Sequence, residues 1–176
     1  MSKTIKKMTL AAMLIAMSVV IGIFCKSALN FGAGLFRITF ENLPIILSGM
    51  LFGPIFGAFT GLASDLISYL LSGQVYPPNL IVTVGATAIG LISGIVSKFI
   101  VKKQGTLQII ASGALAHAVG SMIIKPIGLF QFYGWAVLVR IPLYLIIAPI
   151  EILLICLLFK NYGFRRLIYD IDKENK

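Results

Sequence analysis

The stretch Trp135-Ala-Val-Leu-Val-Arg140-Ile-Pro-Leu-Tyr-Leu-Ile-Ile-Ala-Pro-Ile-Glu151-Ile-Leu-Leu-Ile-Cys-Leu-Leu-Phe159 carries two charges in an otherwise apolar run. About 20 such residues, rising 1.5 Å each, cross roughly 30 Å of hydrocarbon, so the stretch reads as a membrane-spanning helix. Working outward, five more runs read the same way. They cover Met8 to Cys25, Leu35 to Phe52, a run from the Phe52-Gly53-Pro54 break to Leu71, Leu80 to Val101, and Leu107 to Ile124. Composition agrees: 59% of the 176 residues are hydrophobic and 12% charged, and mean hydropathy is +0.99. A soluble domain of this length exposes far more charge. The runs are continuously apolar instead of alternating, which excludes a closed barrel. The expected fold is an all-α membrane protein, a bundle of six transmembrane helices forming one domain over residues 1–176.

Orientation follows from the basic clusters. Lys3, Lys6 and Lys7 precede the first span, Lys98, Lys102 and Lys103 end the fourth, and Lys160, Arg165 and Arg166 follow the sixth. Six spans put all three on one side, which the positive-inside rule makes cytoplasmic, both termini included. The net charge of +9 then reports orientation and contact with anionic membrane lipid. A nucleic-acid partner is not expected, because nothing aromatic or glycine-rich accompanies the basic tail. The Lys-rich start also suits a signal peptide, but no small-x-small cleavage site follows, and Phe24 precedes Cys25 where a lipoprotein site needs a small residue. Cys25 and Cys156 fall at ends facing opposite sides of the membrane, so no disulfide is expected.

Threading the remaining charges onto six spans gathers them on the outer side. Lys26 falls in the loop after the first span and Arg37 at the start of the second. Glu41 lies one helical turn deeper on the same face, an i,i+4 pair with Arg37. Asp65 sits about two turns inside the outer end of the third span, with Tyr69 one turn later. His117 lies about two turns below Lys125, which precedes the helix-breaking Pro126. Arg140 is about a turn and a half below Trp135, and the inner half keeps only Glu151. A charge in hydrocarbon is costly, so a small membrane protein retains one only where it works or is paired. The pattern describes a polar cup, open outward, in which cations outnumber Glu41 and Asp65. It suits an anion or a zwitterion bearing carboxylates, which arginine binds bidentately.

Tyr69, Tyr76, Phe130, Phe132, Tyr133, Trp135 and Tyr144 fall on the same side. An interfacial belt places aromatics there, and so does stacking against a heteroaromatic ring. Plainer readings stand beside the binding roles. Arg37 and Glu41 can neutralise each other, Lys26 can snorkel to the headgroups, and Asp65 can hold a neighbouring helix. His117 can be a packed histidine, since no second His or Cys completes a metal set. Small residues add Ala12-x-x-x-Ala16 on the first span, Gly57-x-x-x-Gly61 on the third and Gly90-x-x-x-Gly94 on the fourth. Such spacing lets helix backbones approach closely in lipid; the alanine pair, on a helix of otherwise large residues, equally suits docking to another membrane protein.

No Gly-x-x-x-x-Gly-Lys-Ser/Thr loop supplies an ATP site, and no nucleophile lies with a base in reach, so neither an enzyme nor a cofactor is expected. No paired broken helices mark two transporter halves. A substrate-binding membrane subunit that takes its energy from partners fits best. A stand-alone permease coupled to an ion through Asp65 or Glu151 is the second reading.

The stretch from Phe36-Arg-Ile-Thr-Phe-Glu-Asn-Leu-Pro through Phe52-Gly-Pro-Ile-Phe-Gly-Ala-Phe-Thr-Gly-Leu-Ala-Ser-Asp65 resembles the second and third helices of vitamin-binding S components. These are the substrate-capturing subunits of energy-coupling factor (ECF) transporters. Arg140-Ile-Pro-Leu and Pro149-Ile-Glu151 are similar to the folate branch. The resemblance implies a cell-membrane subunit that captures a vitamin from outside, docks on a transmembrane coupling subunit with two ATPase subunits, and topples to release the ligand inward. It implies that Arg37 and the loop around Tyr76-Pro77-Pro78 line or cover the ligand, and that Ala12 and Ala16 meet the coupling subunit. Folate is the first expectation. The Tyr76-Pro-Pro-Asn-Leu80 loop departs from the glycine- and phenylalanine-rich folate pattern and leaves pantothenate or a pyridoxine-like compound open. The expected binding set is Arg37, Glu41, Asp65, Tyr69, Tyr76, His117, Lys125 and Arg140.

Overall fold

A computed structural model describes residues 3–31, 36–72, 79–101, 105–162 and 164. Helix α1 (Lys3–Ala28) leads into a small antiparallel hairpin of β1 (Asn30–Phe31) and β2 (Phe36–Arg37), with Asn30 opposite Arg37. Then come α2 (Asn42–Phe52), α3 (Pro54–Leu71) and α4 (Leu80–Ile95), the last continued by a π-helical turn over Val96–Ile100. Helix α5 (Thr106–Ala116) runs through a π-helical stretch, His117–Ile124, into α6 (Lys125–Tyr133). A 3₁₀ segment, Gly134–Val139, leads into α7 (Arg140–Lys160).

Among the described residues, four helical runs are long and apolar enough to cross a membrane: Ile5–Ala28, Pro54–Leu71, Leu80–Ile100 and Thr106–Lys160. The last, at 55 residues, far exceeds one crossing. Gly134 interrupts it with φ +53, a backbone conformation that side chains disfavour, and α7 returns to pack on α5. The protein is a helical, multi-pass membrane protein.

Helix α2 departs from expectation. It does not start near Leu35 but at Asn42, and its 11 residues are too few to cross a bilayer. Pro44 is the cause. Inside a longer helix its ring would clash with the carbonyl of Phe40, whereas in the first turn its missing N–H goes unneeded. Arg37 therefore lies on a strand and Glu41 at the N-cap of a helix, so the two do not share a helical face. Pro126 likewise fails to break its helix. It falls in the first turn of α6, straight after the π-helical stretch.

Helix α4 is central, packed by α2, α3, α5 and α6. The two Gly-x-x-x-Gly motifs meet there. A Cβ on Gly57 would strike the carbonyl oxygen of Gly90, one on Gly90 the carbonyl of Gly57, and one on Gly49 would strike both Gly90 and Ser93. Backbone contact of this kind replaces the hydrophobic drive that lipid cannot supply. Gly53, at φ +99, turns the chain from α2 into α3, and Lys98 Nζ donates to the Phe52 carbonyl at 3.3 Å beneath that turn. The core between these helices is aliphatic, built on Ile45, Ile46, Leu47, Ile89 and Ile155.

Candidate functional site

Two cations are buried where helices begin. Lys125, the first residue of α6, is 4% exposed, and Arg140, the first of α7, is 6% exposed. Neither points into lipid. A buried charge needs a partner, and the start of α2 supplies one for Lys125. Its Nζ donates to Asn42 Oδ1 at 2.9 Å and lies 3.7 Å from Glu41 Oε1. Because α2 begins so late in the chain, Glu41 and Asn42 come inside the bundle instead of at its rim.

Glu41 is tied in from several sides. Ser18 Oγ on α1 donates to its backbone carbonyl at 2.7 Å, and its own N–H donates to Thr39 Oγ1 at 3.3 Å. Its carboxylate lies over Gly22 of α1, where a Cβ would come within 2.7 Å of Oε2. Glycine leaves the room this carboxylate occupies. The Arg140 guanidinium stacks 5.2 Å above the Tyr133 ring, a cation–π arrangement available because Gly134 turns the chain just after Tyr133. Strand β2, which carries Arg37, packs against α7.

Asp65 and His117 each lie in a polar cluster of their own. Thr83 Oγ1 on α4 donates to Asp65 Oδ2 at 2.7 Å, bridging α3 to α4. One turn earlier, Asn79 Oδ1 accepts the Ile81 and Val82 N–H groups as the cap of α4, while its Nδ2 donates to the Gly128 carbonyl of α6 at 2.5 Å. His117 is fully buried and engages Glu151, not the cations. Its Nε2 lies 2.7 Å from Glu151 Oε2, off the line of a well-formed hydrogen bond, and its Nδ1 lies 3.2 Å from Ser121 Oγ. Glu151 Oε1 also accepts the Leu43 N–H at 3.2 Å. Glu151 is therefore not an isolated inner charge; it caps α2 from α7. Lys26 donates to Ser72 Oγ at 3.0 Å, joining the ends of α1 and α3.

Tyr69 is half-buried on α3, and Tyr144 is buried. Trp135 is exposed and meets Phe130 edge-on at 5.4 Å, as a belt residue would. Tyr76, with Pro77 and Pro78, lies outside the described residues, as does the side chain of Arg37. Ala12 and Ala16 are exposed on α1 beside Met8, Met13 and Val20, whereas Ala11 is buried. Among the described residues no three His, Cys, Asp or Glu side chains gather to hold a metal. Asn42, which accepts from Lys125, is a residue that sequence reasoning missed; its signal was its place two residues before Pro44, a residue favoured in the first turn of a helix.

A family profile described as "ECF transporter, substrate-specific component" matches residues 6–169. A solved structure, "Crystal structure of FolT bound with folic acid", superposes with a TM-score of 0.64 at 22% identity, covering 86% of this chain and 93% of that one. It shows a shared fold. A Mycoplasma pneumoniae protein described as "Uncharacterized protein MG098 homolog" is 36% identical over 66 residues, which is 38% of this chain and 13% of that protein's length.

Proposed function

This chain belongs to the ECF transporter substrate-specific component family, and we propose that it is the vitamin-capturing subunit of an ATP-driven importer in the cell membrane, with folate as its ligand. In this reading the chain crosses the bilayer six times with both termini cytoplasmic, α2 and its preceding hairpin together counting as one crossing. It works with a transmembrane coupling subunit and two ATPase subunits. The observation that carries the reading is the burial of Lys125 and Arg140 at helix starts, facing Glu41, Asn42 and Tyr133. Intramembrane cations held this way mark a substrate site by default. A ligand with a flat hydrogen-bonding ring and carboxylates uses all of them: the ring meets the polar groups around α2, and a carboxylate meets the Arg140 fork. The fold shared with FolT, a protein solved with folic acid, supports folate over other vitamins.

Calorimetric titration of the purified protein with folate, pantothenate and pyridoxine tests this. Folate is expected to bind, and Arg140→Ala to weaken it by about tenfold or more, the loss of one charge-assisted contact. Unchanged affinity in a folded Arg140→Ala protein removes Arg140 from the site. Binding of pantothenate or pyridoxine in place of folate reassigns the ligand.

A further inference from the structure

The Asn42 side chain is fully buried, and its Nδ2 has no hydrogen-bond partner among the described residues. Its orientation is not arbitrary. An ammonium only donates, so the Asn42 atom facing Lys125 Nζ at 2.9 Å has to be the oxygen, and the two N–H donors point the other way. A buried amide with both donors unsatisfied is unfavourable, and native proteins retain such groups where something else fills them. It lies within the Glu41–Lys125 cluster, on the first residue of α2.

Resting on the capture reading above, we propose that Asn42 is a specificity-determining residue whose Nδ2 donates to a neutral acceptor on the ligand's ring, in folate the ring carbonyl. Charge decides why the acceptor is neutral. Glu41 already lies 3.7 Å from Lys125, so a ligand carboxylate entering beside Asn42 would meet a carboxylate of like sign in largely buried surroundings, where repulsion is stronger than in bulk water. A carbonyl carries no such penalty and offers lone pairs at the edge of a plane. The anionic end of the ligand then belongs at Arg140. A site built to donate a hydrogen bond rejects a ligand that presents a donor in its place far more strongly than a hydrophobic pocket rejects an extra methyl group.

The test compares folate with its 4-amino analogue, in which the ring carbonyl is replaced by an amine, on the purified full chain. The wild type is expected to bind folate at least about tenfold more tightly than the analogue. Asn42→Asp keeps the size of the side chain and an acceptor toward Lys125 but removes both donors. Its preference is expected to fall to about unity or to invert, with the analogue's affinity retained or raised. Equal binding of both ligands by the wild type overturns the role of Asn42 without any variant being needed. So does an unchanged preference in an Asn42→Asp protein whose thermal unfolding shows it folded. A wild type that binds neither ligand defeats the folate reading itself, a different outcome from binding without discrimination.

Discussion

Glu151 shows how much a single side chain decides in this bundle. One carboxylate oxygen accepts the Leu43 N–H, and the other lies against His117, so α7, α2 and the π-helical stretch meet at one fully buried residue. Glu41, the residue in the N-cap position of α2, makes no side-chain cap bond, which leaves Glu151 to supply it from another helix. Replacing Glu151 by Ala takes the carboxylate away from His117 and leaves the Leu43 N–H with the Phe40 carbonyl at 3.2 Å. The expected loss is roughly 1–3 kcal/mol, the range for leaving a buried polar group unsatisfied, measured as thermal unfolding in detergent. Replacing His117 and Glu151 together by Leu should recover part of that loss. A double variant as unstable as the sum of the singles would show that the two do not act as a pair. The sequence marked both residues as unusual but did not join them, because their contact spans the bundle and no local pattern encodes it.

At the scale of elements, small residues and prolines set the geometry. Pro44 starts α2 late, Gly53 ends it, and the result is a half-length helix whose first residues lie inside the protein. The Gly57–Gly90 crossing holds α3 on α4 backbone to backbone, so nothing there can rotate away from an added side chain. Gly90→Val is expected to cost about 3 kcal/mol or more through overpacking that cannot relax. The readout is the yield of monodisperse protein and its unfolding midpoint. Gly105→Ala is the control, since a Cβ there meets nothing within 4 Å. Equal behaviour of the two variants would refute the close crossing. These glycine pairs were legible as packing motifs; which helices they join was not, because spacing shows a face but not its neighbour.

Across the whole molecule, the proposed function assigns the helix ends to the ligand and the outside of α1 to a partner. Ala12 and Ala16 are exposed in the bundle, and α1 packs on α2 and α3 through its other face. Leu at both positions is expected to abolish vitamin uptake by cells while folate binding to the purified protein stays within about twofold, because a helix-docking stripe depends on small size. Loss of binding together with uptake would mean that the pair serves the fold instead. The sequence by itself determined the helical membrane class, the small-residue faces, and the unusual intramembrane charges Lys125 and Arg140. Hydropathy and the cost of charge in hydrocarbon are local properties that need no fold to be read. The pairing of Lys125 with Glu41 and Asn42, the separation of His117 from the cations, and the non-helical path through Arg37 were decided only in three dimensions. Each depends on where α2 begins relative to helices far away in the chain, and a contact between distant segments leaves no periodic trace in either one.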